Sequence, residues 1–134
     1  MAGKFLLEII SPTRKLLSEE VEEMTAQADM GEFGILPEHA HYFTLVTAGR
    51  VTYKTAKGAT TIAVSKGYAE VGPDKTTLLV DGAVSADEID VDAVREELTA
   101  AEEKLRTLEP DDPAYSATED AIEYAVARLS LKEG

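Results

Sequence analysis

The sequence has no cysteine, no tryptophan and only two histidines, and aromatic residues make up 6% of its 134 positions. Without thiols there is neither a disulfide framework nor a thiolate nucleophile. Two imidazoles fall short of the usual ligand set of a structural or catalytic metal site. Basic residues are scarce: 13 Lys+Arg stand against 26 Asp+Glu, a formal net charge of −13. Such a chain is repelled by phosphate backbones and by anionic membrane surfaces, which argues against nucleic acid as a partner. No apolar run approaches the length that spans a bilayer. The opening stretch "MAGKFLLEIISP" has one lysine and a short apolar run broken by Glu8, so it reads as a strand rather than a secretory signal. A nucleophile elbow, a Walker A loop and a dinucleotide fingerprint are all missing, so no catalytic residue is assigned. These absences point to an intracellular chain, soluble or peripheral on a larger body, and not to an enzyme in its own right.

What is present divides into two halves with different periods. The hydrophobic fraction of 44% supports a real core, in one domain or a small domain with an appendage. Residues 1–86 carry short runs rich in Val, Ile, Leu, Thr and Tyr, among them "KFLLEII", "VEEMTAQA", "YFTLV", "GRVTYKT", "YAEVG" and "TTLLVD". Turn residues separate them (Ser11-Pro12, Lys57-Gly58, Gly72-Pro73-Asp74), as in a β-sandwich or flattened antiparallel barrel. Within one run, Val51, Tyr53 and Thr55 share a face opposite Thr52 and Lys54.

Residues 87–134 switch to a helical period. Val94, Leu98, Ala101, Leu105 and Leu108 recur at steps of four and three and form one stripe. Asp90 fits an N-cap, with Ile89 and Val94 spaced as a hydrophobic staple. Pro110 ends this helix. Asp112 and Pro113 start a second, as N-cap and first helical residue. Ala117, Ala121 and Ala125 form a stripe of small residues flanked by Ile122, Val126 and Leu129, which would let another helix approach closely. The expected fold is thus α+β, a sandwich over 1–86 followed by an antiparallel two-helix hairpin over 87–134. The charge divides unevenly. The first part has 8 basic and 11 acidic side chains, net −3, and the second has 5 and 15, net −10.

The stretch "GEFGILPEHAHYF" at 31–43 is the most distinctive. Gly31-Glu32-Phe33-Gly34 reads as a turn, yet Phe33, Ile35 and Leu36 read as core. His39 and His41 form an H-x-H whose rings would face one side of a strand, with Glu38 as a third candidate ligand. The plainer reading is a pair of hydrogen-bonding histidines at a strand start, so no metal is assigned. Asp92 and Arg95, three apart on a helix, fit an exposed ion pair plus helix-dipole complement.

"GEFGILPEHA", followed by Thr44 and Gly49, by "GYAEV" at 67–71 and "TTLLVDGAV" at 76–84, and by a two-helix tail closing on "ARLSL", resembles the epsilon subunits of F-type rotary ATP synthases over the whole chain. The mitochondrial counterpart is called delta. The resemblance implies a central-stalk subunit bound to gamma and resting on the c-subunit ring. It would lie at the cytoplasmic face of the cell membrane as a peripheral part of the complex and couple proton-driven rotation to ATP synthesis. It implies that Phe33, Ile35 and Leu36 anchor the corner, that Glu32 faces the c ring and that His39 faces gamma. It also implies that the hairpin can regulate ATP hydrolysis by reaching alpha and beta. His41 stands where relatives usually have proline. Some relatives bind ATP on the hairpin through Asp-x-x-Arg and further arginines. Asp92, Arg95 and Arg128 match, but Val91 precedes the motif, Glu96 follows it in place of alanine, and Tyr124 occupies a position where another arginine can stand. Such a thin set of cations predicts weak ATP binding or none, and no other cofactor. The net charge of −10 predicts feeble inhibition by docking on an acidic segment. Two other readings are a free-standing nucleotide-sensing module with the hairpin as lid and a metal-dependent sandwich enzyme using His39, His41 and an acid.

Overall fold

In the computed structural model, residues 3–28, 31–36 and 41–133 are described. Among the described residues, ten strands form two five-stranded sheets. They are β1 (Phe5–Ile10), β2 (Lys15–Val21), β3 (Glu23–Ala28), β4 (Gly31–Ile35), β5 (Tyr42–Val46), β6 (Gly49–Thr55), β7 (Gly58–Val64), β8 (Gly67–Val71), β9 (Lys75–Val80) and β10 (Ala83–Ser85). The first sheet has the order β2-β1-β9-β8-β5 and the second β10-β7-β6-β3-β4. The sandwich follows the sequence reading, with one refinement to its antiparallel character. β1 and β9 run parallel, Leu6 beside Lys75 through Ile10 beside Leu79.

Alternation explains which side chains make the core. Phe5, Leu7 and Ile9 of β1 point inward, as do Leu78 and Val80 of β9, and all are buried. From the facing sheet come Met24, Ala26, Ile35, Val51, Tyr53, Ile62 and Val64, which join them in one cluster. "FLLEII" is apolar apart from Glu8, but only Phe5, Leu7 and Ile9 fill the core while Leu6, Glu8 and Ile10 point to the outer face.

Within the sandwich, two elements differ from the sequence expectation. Gly31–Gly34 is not a turn but most of strand β4, paired antiparallel with β3 from Ala28 opposite Gly31 to Met24 opposite Ile35. Gly31 adopts φ 110°, a conformation that glycine reaches without a Cβ penalty, so it supplies the entry bend and frees the following residues to extend. The short strand β10, opposite Ile62–Val64, had no periodic signal because it is three residues long.

Beyond β10, a 3₁₀ turn at Ala86–Glu88 leads to α1 (Val91–Thr107) and α2 (Pro113–Glu133). The Ser85 amide donates to the Glu88 carboxylate at 2.9 Å, closing the turn. The Asp90 carboxylate accepts from the Ala93 amide at 3.2 Å, and the Asp112 carboxylate accepts from the Ala114 amide at 2.8 Å. Both caps stand where the sequence put them, and each satisfies a donor that a helix start otherwise leaves open. The stripe of α1 is also as read: Val94 is buried, and it packs with Ala125 and Leu129 of α2, with Ile89, Val91 and Leu98 around them.

The alanine stripe of α2 is a correction. Ala117 and Ala121 are exposed, while Ala125 and Ala127 are buried. Two residues correspond to about 200° around a helix. Ala125 therefore faces α1, and Ala127 faces the opposite way, lining a pocket with Gly49 and Arg50 of β6. A helix buried on two opposite faces has no single apolar stripe to read. Lys66 holds α2 to the sandwich through an ion pair with Asp120 at 3.0 Å. The ring of Tyr124 lies against Gly82, where an added Cβ would come within 2.9 Å of its hydroxyl.

Candidate docking surface

The corner residues expected at a partner interface separate on β4. Ile35 is 1% exposed and belongs to the core, and Phe33 is half-buried against it. Ile35 therefore cannot touch a partner; it fixes the strand from within. Leu36 is the reverse case: expected as an anchor of the corner, it is 57% exposed. Glu32 is exposed and points away from the core on this edge strand. His39 and Glu38 lie outside the described residues. His41 stands 3.8 Å from Glu70. Among the described residues, no group of three or more His, Cys, Asp or Glu could hold a metal ion.

The larger feature lies elsewhere, on the outer face of the first sheet. Leu45 of β5 is opposite Tyr68 of β8, Tyr68 is opposite Leu79 of β9, and Leu79 is beside Ile10 of β1. One row of apolar side chains thus crosses four strands. Phe43, two residues before Leu45 on the same face, stacks on Tyr68 with ring centroids 5.4 Å apart. Phe43, Leu45, Tyr68 and Leu79 are all exposed, Phe43 by 62%. Single exposed apolar residues are ordinary, but a contiguous group of this kind marks a surface that meets something. The sequence contained the signal, since "YFTLV" and "TTLLVD" place apolar residues on both faces of strands that need only one.

Beside this row, Glu8 is nearly enclosed, and its carboxylate receives Lys75 at 2.7 Å and Lys15 at 2.9 Å. The hydrogen bonds from Lys75 and then Lys15 hold its carboxyl below the ordinary value of 4.5. A carboxyl lowered in the folded state stabilises the fold above its unfolded pKa, and that contribution is lost as pH falls through the lowered value. Glu8→Gln is therefore expected to flatten the loss of thermal stability as pH falls through and below 4.5. Melting curves of the two proteins across that range check it; equal slopes would show that Glu8 contributes nothing.

The hairpin residues matched to a nucleotide motif do not form one cluster. Arg128 donates to Glu97 at 2.7 Å and lies 4.3 Å from the centroid of the Tyr124 ring. Asp92 and Arg95 are exposed on α1. Arg95 lies two residues, about 200°, around the helix from Glu97, hence on the other flank of the α1 stripe from the Arg128 pair.

Two family models match the chain, the β-sandwich domain of the ATP synthase delta/epsilon chain over residues 4–86 and its long α-helix domain over residues 87–133. The chain belongs to the ATP synthase delta/epsilon family. Curated relatives agree. The ATP synthase epsilon chain of Geobacter metallireducens is 42% identical over 98% of this chain and 95% of its own. That of Geotalea daltonii is 41% identical with the same coverage. The fold recurs in a chain of the Euglena gracilis mitochondrial ATP synthase, at TM-score 0.77 and 22% identity, covering 98% of this chain and 82% of that one. It recurs again in the central stalk and c-ring structure of the Tetrahymena thermophila enzyme, at TM-score 0.63 and 13% identity, covering 97% and 98%. Family membership makes the chain a non-catalytic subunit of ATP synthase. Among the described residues, no helix is long and apolar enough to cross a membrane.

Proposed function

We propose that this chain is a central-stalk subunit of a proton-translocating ATP synthase, peripheral at the cytoplasmic face of the membrane, and that the outer face of its first sheet docks on gamma. The observation that carries the reading is the apolar row Leu45–Tyr68–Leu79–Ile10 with Phe43 stacked beside it. A rotor contact must transmit torque without shearing, which calls for a broad packed patch with a polar rim. The Glu8–Lys15–Lys75 group supplies such a rim. On the β4 edge, Glu32 and Leu36 are the exposed residues suited to the c ring. The testing experiment is a gentle extraction of native membranes carrying a tagged copy. Alpha, beta, gamma and c subunits are expected in one eluate. Elution of the chain alone, from membranes whose synthase stays intact, overturns the reading.

The nucleotide-sensing alternative is disfavoured by the state of Arg128, whose charge is already matched by Glu97. Calorimetry with ATP is expected to show affinity no tighter than about 1 mM, roughly 4 kcal/mol; micromolar binding would restore the alternative. The same acidity bears on regulation. A hairpin of net charge −10 has little attraction for an acidic segment of beta. Deleting residues 87–134 in the assembled enzyme is expected to leave ATP hydrolysis close to its starting rate. A rise of tenfold or more, about 1.4 kcal/mol in barrier, would make the hairpin a strong inhibitor after all.

A further inference from the structure

Where the apolar row reaches the end of the sandwich it does not stop at open solvent. Ile10, Leu45, Tyr68 and Leu79 form one wall of a cleft of about 710 Å³. Asp120 and Glu123 of α2 form the opposite wall, with Lys66 and Asp81 between. One wall is apolar and belongs to the sandwich; the other is acidic and belongs to the hairpin. Lys66 is paired with Asp120 at 3.0 Å and also feels the charge of Glu123, so with Asp81 three carboxylates stand against one ammonium and the cleft keeps an acidic sign.

We propose that this cleft receives a segment of the docking partner that carries a basic side chain flanked by apolar ones. The inference rests on the docking reading above and extends it. The apolar wall is continuous with the exposed row, so whatever covers the row also covers the mouth of the cleft. The acidic wall selects a cation among candidate segments, since an anion there would face three carboxylates offset by a single lysine. A second copy of this chain is the wrong occupant on the same ground. Two bodies of charge −13 would meet, each with twice as many acids as bases. Because the two walls come from different parts of the chain, the segment touches both at once. Its affinity then depends on α2 being seated on the sandwich, and by linkage the bound segment holds α2 there.

The test uses the full-length chain rebound to ATP synthase from which the native copy has been stripped, with affinity measured across a salt series. Glu123 is exposed, and Glu123→Lys is checked for an unchanged melting curve first. It is expected to weaken rebinding about tenfold at low salt, with the deficit shrinking as salt rises. Glu102→Lys makes the same charge change on α1, away from the cleft, and is expected to rebind as the parent does. An equal loss in the two variants overturns the proposal, because net charge alone would then explain it. The comparison variant Leu79→Asp separates the two layers. If it fails to rebind while Glu123→Lys rebinds fully, the cleft proposal falls and the docking reading stands. If Leu79→Asp also rebinds fully, the docking reading falls with it. A free chain that sediments as a dimer, reverting to monomer on Leu79→Asp, would make a second copy the occupant and overturn the proposal as well.

Discussion

Leu79→Asp is expected to release the chain from ATP synthase without unfolding it. Leu79 sits on β9, in the interior of the first sheet, with Tyr68 on one side and Ile10 on the other. It is 42% exposed, so an aspartate there is solvated in the free chain and costs little stability. Under a docked partner the same carboxylate is stripped of water among apolar side chains. The lysine nearest on that face of β9, Lys75, is already held by Glu8. Hot-spot substitutions of this kind cost about 2–4 kcal/mol, roughly 30- to 1,000-fold in affinity. Recovery of the synthase with a tagged variant, beside melting curves of the free proteins, measures both halves of the expectation. Retention equal to the parent, with the fold intact, would remove the outer face of the first sheet from the rotor interface.

Gly67→Ala is the second large effect, and it acts on the fold instead. Gly67 opens β8 and pairs with Val80 across the ladder to β9. A Cβ placed there would overlap the carbonyl oxygen of Leu79 and come within 3.0 Å of a methyl of Val80. The first of these is backbone in a central strand and cannot swing aside. Relief requires β8 and β9 to part where Val80 closes the core. The expected cost is about 3 kcal/mol or more, at the upper end for overpacking. In melting temperature that is on the order of 10 °C. Gly31 and Gly58 give the contrast. Both have positive φ, 110° and 124°, and both have open space where a Cβ would stand. Alanine at either is expected to cost only the backbone term, about 1–2 kcal/mol. A melting series ordering Gly67→Ala below the other two confirms the argument; an order with Gly67→Ala least affected refutes it.

The sequence was most legible where a local rule had no competitor. The caps at Asp90 and Asp112 and the proline at the start of α2 are each decided within one turn of helix, the four-and-three stripe of α1 within a single helix, and each stands in the structure. The strands of the sandwich were readable from composition and turn residues. What was not readable depended on distant neighbours. β10 is strand only because β7 accepts it, and α2 hides its period because α1 and the sandwich bury opposite faces. At β4 the paired glycines suggest reversal along the whole stretch, whereas Gly31 alone makes the bend. The site was legible in part. The corner at 31–36 stands out in the sequence, yet Ile35 there proves to be core, while the apolar row needed the register of four strands to become one surface. Phe43, Leu45, Tyr68 and Leu79 are scattered over 37 positions of sequence and meet only through pairing.

The parallel partnership of β1 and β9 also bears on how the chain comes to be folded. β1 is not an edge strand; it lies between β2 and β9. The hairpin of β1 with β2 can form early, but the other side of β1 stays open until residues 75–80 exist to fill it. A nascent chain emerging from the ribosome therefore carries Phe5, Leu7 and Ile9 on a half-covered strand until residues 75–80 follow. Long-range pairing of this sort is slow to close and leaves an unpaired edge exposed meanwhile. The hairpin follows immediately in the chain, and its seat on β6 and β7 is built by strands already made. α2 thus leaves the ribosome only after every strand it covers.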